Sequence, residues 1–319
     1  MPSRTRKFDY TKYMVYIILA ITLLLFAVWL GKSFFSFNNM LNVLRQTAMI
    51  SIMAVAMTFV IGSGNIDLSI GGIVALSSLV CALCMRSTDS ILLSVAATLC
   101  VGMAVGALNG FLITTFHIPA FLLTMGMLNI CRGMAMALTN TKAIPIMNPT
   151  FNSMFGLYDI GGVVPILLVW TLVALAIGHF GLAYRPFGRK ALAIGGNTAS
   201  ARYSGINVKF SIVQIMAISG LAASFAGILY SGRMQTARYT YGDGVELSVI
   251  AATVIGGTSM AGGTGSIIGA FIGSFLLGVI NNGLIIGGLT VAQQMMVRGA
   301  LIIIAVALNY LGDMKKERE

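Results

Sequence analysis

The chain has 319 residues, of which 57% are hydrophobic and only 9% charged, with a formal net charge of +11. Soluble domains carry roughly a quarter charged residues, so this composition excludes a soluble enzyme or binding module. The cationic excess sits mostly in tails and connecting segments, with no aromatic-interleaved soluble face. That excludes nucleic-acid binding and reads instead as a topology signal beside a lipid bilayer.

In chain order, Arg4, Arg6, Lys7 and Lys12 precede an apolar run from about Tyr13 to Leu30. The run exceeds a signal-peptide core and Gly31–Phe34 offers no A-x-A cleavage site, so it predicts an uncleaved first span. Stretches of about 20 apolar residues predict further spans at 45–62, 68–85, 91–115, 119–139 and 164–184. After an interruption come 210–231, 247–261, 265–287 and 291–311. The expectation is an all-α polytopic membrane protein of about ten helices. It forms one transmembrane domain over 1–319, with a first half at 1–163 and a second at 164–319.

The interruption, 185–209, is the one long interior segment that is basic and weakly apolar. It holds Arg185, Arg189, Lys190, Arg202 and Lys209 and no acid. Basic loops between spans stay in the cytoplasm. Ten spans put this loop and both termini, including Lys315, Lys316 and Arg318, on that side. The resulting cation bias of about two to one predicts an N-in, C-in topology.

The longest outer segment, about Asn140 to Val163, carries Pro145, Pro149, Gly156, Gly161 and Gly162 and reads as a loop. Lys142, Arg233 and Arg238 fall on this side as candidates for docking an external partner. Gly102/Gly106/Gly110, Gly269/Gly273 and Gly283/Gly287 have the small-xxx-small spacing of closely packed membrane helices. Cys81, Cys84, Cys100 and Cys131 lie in apolar runs, where the CxxC pair reads as small packing residues.

One echo links the halves. Asp67-Leu68-Ser69 and Glu246-Leu247-Ser248 each open an apolar segment, five spans apart. Two five-span units related by inversion have this pattern. Each carboxylate can serve as a cap at a positive helix end or contact a solute. The break at Asn65–Ser69 exposes backbone that needs protein or water partners. Arg132 lies roughly 10 Å from its helix end at 1.5 Å per residue. At that depth it pairs internally or lines a path. With Asn65, Ser69, Thr124, Asn129 and Ser248, these residues are the translocation-path candidates.

No catalytic motif, metal-ligand spacing or cofactor fingerprint is present in the sequence, and the two histidines, His117 and His179, lie far apart. The glycine-rich stretch Gly256–Ser266 lacks the lysine of a phosphate loop and predicts a tight turn.

Taken together, Ala54–Ile61, Ile66-Asp67-Leu68-Ser69-Ile70-Gly71, Ile118-Pro119-Ala120-Phe121, Arg132-Gly133 and Phe187-Gly188-Arg189 form one ordered set of motifs. It continues through Ala193-Ile194-Gly195-Gly196-Asn197, Ser204-Gly205-Ile206, Glu246-Leu247 and Ile255-Gly256-Gly257-Thr258 with Gly262-Gly263. It resembles the permease subunits of bacterial ABC importers for monosaccharides, of the ribose and galactofuranose type, over about residues 40–310. Asn65 stands where that family usually has glycine, which bears on the sugar.

The resemblance implies a subunit that is not itself an enzyme and needs no cofactor. ATP and Mg are used by a separate cytoplasmic ABC ATPase. A second permease subunit, identical or related, and a periplasmic sugar-binding protein complete the importer in the bacterial inner membrane. It also implies that the 185–209 loop docks on the ATPase through Gly195, Gly196, Asn197, Ala199, Arg202 and Gly205. The rival reading is an ion-gradient-driven secondary transporter of a small polar solute, with Asp67 or Glu246 carrying the coupling.

Overall fold

A computed structural model describes residues 10–318. Of the N-terminal cations, Arg4, Arg6 and Lys7 lie outside the described residues. The described chain is mostly helical: α1 (Tyr10–Leu30), α2 (Phe37–Gly62), α3 (Ile70–Thr88), α4 (Ile91–Phe116) and α5 (Ala120–Thr139) make up the first half. The connection that follows holds α6 (Pro149–Asn152) and short strands β1 (Ile144–Pro145), β2 (Asp159–Ile160) and β3 (Val164–Pro165). The second half contains α7 (Ile166–Ala183), α8 (Pro186–Gly196), α9 (Thr198–Tyr203), α10 (Val208–Met234), β4 (Thr236–Ala237), α11 (Val245–Ile255), α12 (Ile267–Ile286) and α13 (Val291–Arg318).

Eight of these helices are long and apolar enough to cross a bilayer. Helices α2, α3, α10 and α12 supply most of the buried centre, while α1, α4, α5 and α7 turn large apolar side chains such as Leu24, Val28, Leu92, Ile130 and Ile177 outward. In water such a surface would aggregate; in lipid it is the ordinary outer face. The chain is a multi-pass membrane protein.

Close crossings are made by glycine. Gly102, Gly106 and Gly110 lay α4 directly on α10, where a Cβ at Gly106 would fall on the carbonyl oxygen of Met216. Gly269 and Gly273 seat α12 on Gly256 and Ala252 at α11, and Gly283 and Gly287 receive Phe26 and Trp29 of α1. Each small-xxx-small motif therefore serves packing within the chain.

Three boundaries differ from expectation. Helix α2 begins at Phe37 rather than near 45, because Ser36 caps its first turn and Asn39 exchanges two amide hydrogen bonds with Asn282 at 2.8 and 3.0 Å. Polar residues that depress hydropathy there are satisfied by a partner helix. The 247–261 run is helical only over Val245–Ile255, about 16 Å at 1.5 Å per residue, since Gly256 caps it and Gly257 turns out at φ +90°. The 140–163 segment is no free loop. Strand β1 pairs antiparallel with β4 and β2 with β3, Trp170 Nε1 donates to the Met154 carbonyl at 3.0 Å, and Arg45 meets Asp159 at 2.6 Å.

Candidate functional site

The inter-half segment folds as α8 and α9 joined at Asn197, whose Oδ1 accepts from the Ser200 N–H at 2.9 Å and caps α9. Helix α9 ends at Gly205, where φ is +82° and the N–H groups of Gly205 and Ile206 return to the Arg202 and Ala201 carbonyls at 3.0 and 3.1 Å. This paired closure requires a left-handed residue, which glycine adopts without strain. One face is buried through Ala191, Ile194 and Ala201. The other exposes Arg189, Lys190, Asn197, Thr198, Ala199 and Arg202, with Tyr203 92% exposed.

Underneath, the end of α8 is seated by backbone contact at Gly195, with the Leu192 side chain packed beside Gly62. Gly195 lies against the Gly62 carbonyl at the end of α2 and against Gly263 in the loop before α12; a Cβ there would be 2.8 Å from Gly263 N. Gly263 N–H in turn donates to Gly62 O at 3.0 Å. Gly262 and Gly263 have φ +86° and +79°. Three segments far apart in sequence thus meet in one glycine seam.

Immediately after Gly62 runs the non-helical break. Asn65 Nδ2 donates to Ser63 Oγ at 3.2 Å. Asp67 is fully buried: its Oδ1 accepts from the Ser69 N–H and hydroxyl at 2.9 and 2.5 Å, and its Oδ2 from the Ser219 hydroxyl of α10 at 2.7 Å. Asn109 of α4 donates to Ser69 Oγ at 2.9 Å, and the Leu68 N–H donates to Thr124 Oγ1 of α5 at 3.1 Å. Three helices, α4, α5 and α10, hold the break, and the Leu68 and Ser69 N–H groups freed there are satisfied by protein.

A second cluster lies where α5, α3 and α11 meet. Arg132 pairs with Asp243 at 3.0 Å. Glu246, in the first turn of α11, turns its Oε2 onto Gly71 of α3. That oxygen and the Nε and Nη2 of Arg132 are buried with no hydrogen-bond partner among the described residues. Buried groups of this kind normally hold water or a solute hydroxyl.

The candidates therefore separate. Asn65, Asp67, Ser69 and Thr124 converge at the break; Arg132 and Glu246 share the second cluster; Ser248 lines a different polar cavity. Asn129 is exposed on α5 and donates back to Met125 O at 3.1 Å. Of the outer cations, Lys142 and Arg238 are exposed, whereas Arg233 is half-buried and donates to the Arg45 carbonyl at 2.9 Å. The described residues contain no group of three His, Cys, Asp or Glu side chains able to hold a metal ion.

Sequence reasoning passed over Asn109, Ser219 and Asp243, and the role of Gly62 and Gly263 as the seat of Gly195. Asn109 and Ser219 left a signal, as polar residues inside apolar runs. The seam left none, because backbone contact has no side-chain signature.

Residues 39–306 match the family of branched-chain amino acid transport system permease components. The chain is 39% identical over 283 residues to the ribose import permease protein RbsC of Escherichia coli (strain K12), covering 88% of each chain. It is 36% identical over 301 residues to the D-allose transport system permease protein AlsC of the same organism, covering 94% of this chain and 92% of that one. It is 30% identical to the xylose transport system permease protein XylH, over 92% of this chain and 91% of that one. No solved structure matches it. With a family match across most of its length and relatives above 30% identity along nearly all of it, the chain belongs to this permease family, a family of transport components and not of catalysts.

Proposed function

We propose that the chain is the membrane subunit of an ATP-driven ABC importer in the bacterial inner membrane, carrying a monosaccharide delivered by a periplasmic binding protein. The observation that carries this is the glycine seam. A cytoplasmic ATPase gripping the exposed face of α8 and α9, through Asn197, Ala199 and Arg202, would move Gly195 and Gly196. Gly195 bears directly on the break before Asp67 and on the loop between α11 and α12, so displacement passes into the spans through direct backbone contact. A sugar is favoured over a branched-chain amino acid because relatives along nearly the whole chain are named for ribose, allose and xylose.

In this reading ten segments cross the membrane, N-in and C-in, as two inverted units: α1–α5, and α7 with α10–α13. The pattern of packing supports it. Helix α4 lies on α10 as α12 lies on α2, and α3 contacts α4 and α5 as α11 contacts α12 and α13. The acid-Leu-Ser steps then face one another near the midplane, Glu246 resting on Gly71 just past Asp67. A second permease subunit completes the path, and Lys142 and Arg238 form part of the binding-protein contact.

The test is reconstitution in proteoliposomes with the candidate ATPase and binding protein, measuring labelled pentose and hexose uptake. Uptake should require ATP, and Arg202→Glu should lower it about tenfold, equivalent to about 1.4 kcal/mol of lost contact. Arg238→Glu should slow binding-protein-stimulated hydrolysis more at low salt than at high. Uptake that persists without ATP and collapses with an ionophore would replace this reading with secondary transport.

A further inference from the structure

A cavity of about 480 Å³ with a mixed polar and apolar lining lies between α2, α10, α11, α12 and α13. Two guanidinium groups line it. Arg233 stands at the end of α10, and Arg298 sits seven residues into α13, roughly 10 Å along the helix at 1.5 Å per residue. Arg298 Nη2 donates to Asn281 Oδ1 at 3.0 Å and Arg233 Nη1 to a backbone carbonyl, so both are held by neutral acceptors.

Among the described side chains, the carboxylates that could have balanced them are committed elsewhere. Asp159 pairs with Arg45 at 2.6 Å, Asp243 with Arg132 at 3.0 Å, Asp67 with Ser69 and Ser219, and Glu246 faces α3. Among the described side chains neither Arg233 nor Arg298 has an acidic partner. Guanidinium groups within a membrane domain are unfavourable unless paired. Two of them around one cavity leave it with a strong positive field and rigid forks suited to phosphate oxygens.

The remaining lining identifies the source of that phosphate. Gln46 and Gln294 add polar atoms, but Leu277, Leu284 and Leu301 make apolar walls. Met234 and Ile285, each 48% exposed, stand at the rim and bring the cavity to the outer surface of the helices. A free inorganic anion would gain nothing from such walls, whereas a phospholipid sets its headgroup on the arginines and its glycerol and first methylenes along the leucines. We propose that this cavity binds the phosphate headgroup of an anionic phospholipid, clamped by Arg233 and Arg298. This is independent of the transport reading above and needs only that the chain is a membrane protein.

The experiment is thermal unfolding of the full chain purified in a neutral maltoside detergent. Phosphatidylglycerol, phosphatidylcholine, sodium phosphate or free ribose is titrated into wild type, Arg298→Gln and Arg86→Gln, the last an exposed arginine at the end of α3. Arg298→Gln is preferred to Arg233→Gln because it frees only Asn281, while Arg233 also secures the Arg45 carbonyl. Phosphatidylglycerol should raise the melting midpoint saturably by several degrees. The apparent affinity should fall about tenfold or more in Arg298→Gln, as expected for losing a charge-assisted fork, and be unchanged in Arg86→Gln. Equal stabilisation by phosphatidylcholine, or an undiminished response in Arg298→Gln, would overturn the proposal. A saturable, Arg298-dependent response to sodium phosphate alone would overturn the lipid source in favour of a small anion. The same response to ribose would hand the cavity to the sugar path, also overturning it.

Discussion

Replacing Gly195 by alanine adds one methyl group at the point where the inter-half helices meet the spans, and the sign of the effect is diagnostic. Gly195 lies within α8. In a helix free of contacts, Gly→Ala stabilises by about 1 kcal/mol. Here the new Cβ would lie on the Gly62 carbonyl oxygen, 2.9 Å from Gly62 C and 2.8 Å from Gly263 N. Non-bonded heavy atoms prefer about 3.5 Å or more, so the seam must open by roughly 0.6 Å or beyond. All three obstacles are backbone atoms and cannot rotate away. Overpacking of this kind costs about 1–3 kcal/mol, which offsets the propensity gain and leaves the variant destabilised by about 0–2 kcal/mol.

Gly196→Ala is the matched control. Its Cβ would meet only Gly263 Cα at 3.7 Å, an ordinary contact, so it should be neutral or mildly stabilising. The two variants are compared by denaturant unfolding in mixed micelles and by sugar uptake per ATP hydrolysed in proteoliposomes. Gly195→Ala should be the less stable by about 1–3 kcal/mol and the less well coupled. If the two agree within about 0.5 kcal/mol, the margin within which independent effects add, and transport equally well, the seam does not carry the contact assigned to it.

At the break, Asp67→Ala strands the buried Ser219 hydroxyl and the Ser69 N–H, at about 1–3 kcal/mol for each unsatisfied group. A double-mutant cycle of Asp67→Ala with Ser219→Ala should therefore show a coupling above about 0.5 kcal/mol, and strict additivity would remove the bond. At the α4–α10 crossing, Gly106→Leu should abolish or severely lower the yield of folded protein, because its Cβ meets the Met216 carbonyl. Gly126→Leu, with nothing within 4 Å of a Cβ there, should express normally; equal yields would refute the crossing.

Hydropathy made most of the long helices legible, since a run of some twenty apolar residues has few alternatives to a membrane-crossing helix. It failed where polar residues are satisfied by distant partners. Asn39 lowered the apparent hydrophobicity of α2 because Asn282 was invisible from its neighbourhood in sequence. It failed again at α11, where glycine geometry at 256–257 ends the helix inside an apolar run. The acid-Leu-Ser steps were visible as openings of α3 and α11, yet their surroundings differ. Asp67 is saturated by Ser69 and Ser219, and Glu246 keeps against Gly71 an oxygen with no partner among the described residues.

By itself, then, the sequence determined that this chain lives in a bilayer, that its long apolar runs are mostly helical, and that a basic segment interrupts them. Those properties are sums over neighbouring residues, and each residue's transfer preference is its own. Only the tertiary structure decided that Gly62, Gly195 and Gly263 touch, that Arg132 meets Asp243, and that Arg233 and Arg298 share one cavity. Contacts between backbones, and charges balanced across 111 positions of chain as Arg132 is by Asp243, depend on how helices cross, and no local pattern encodes a crossing.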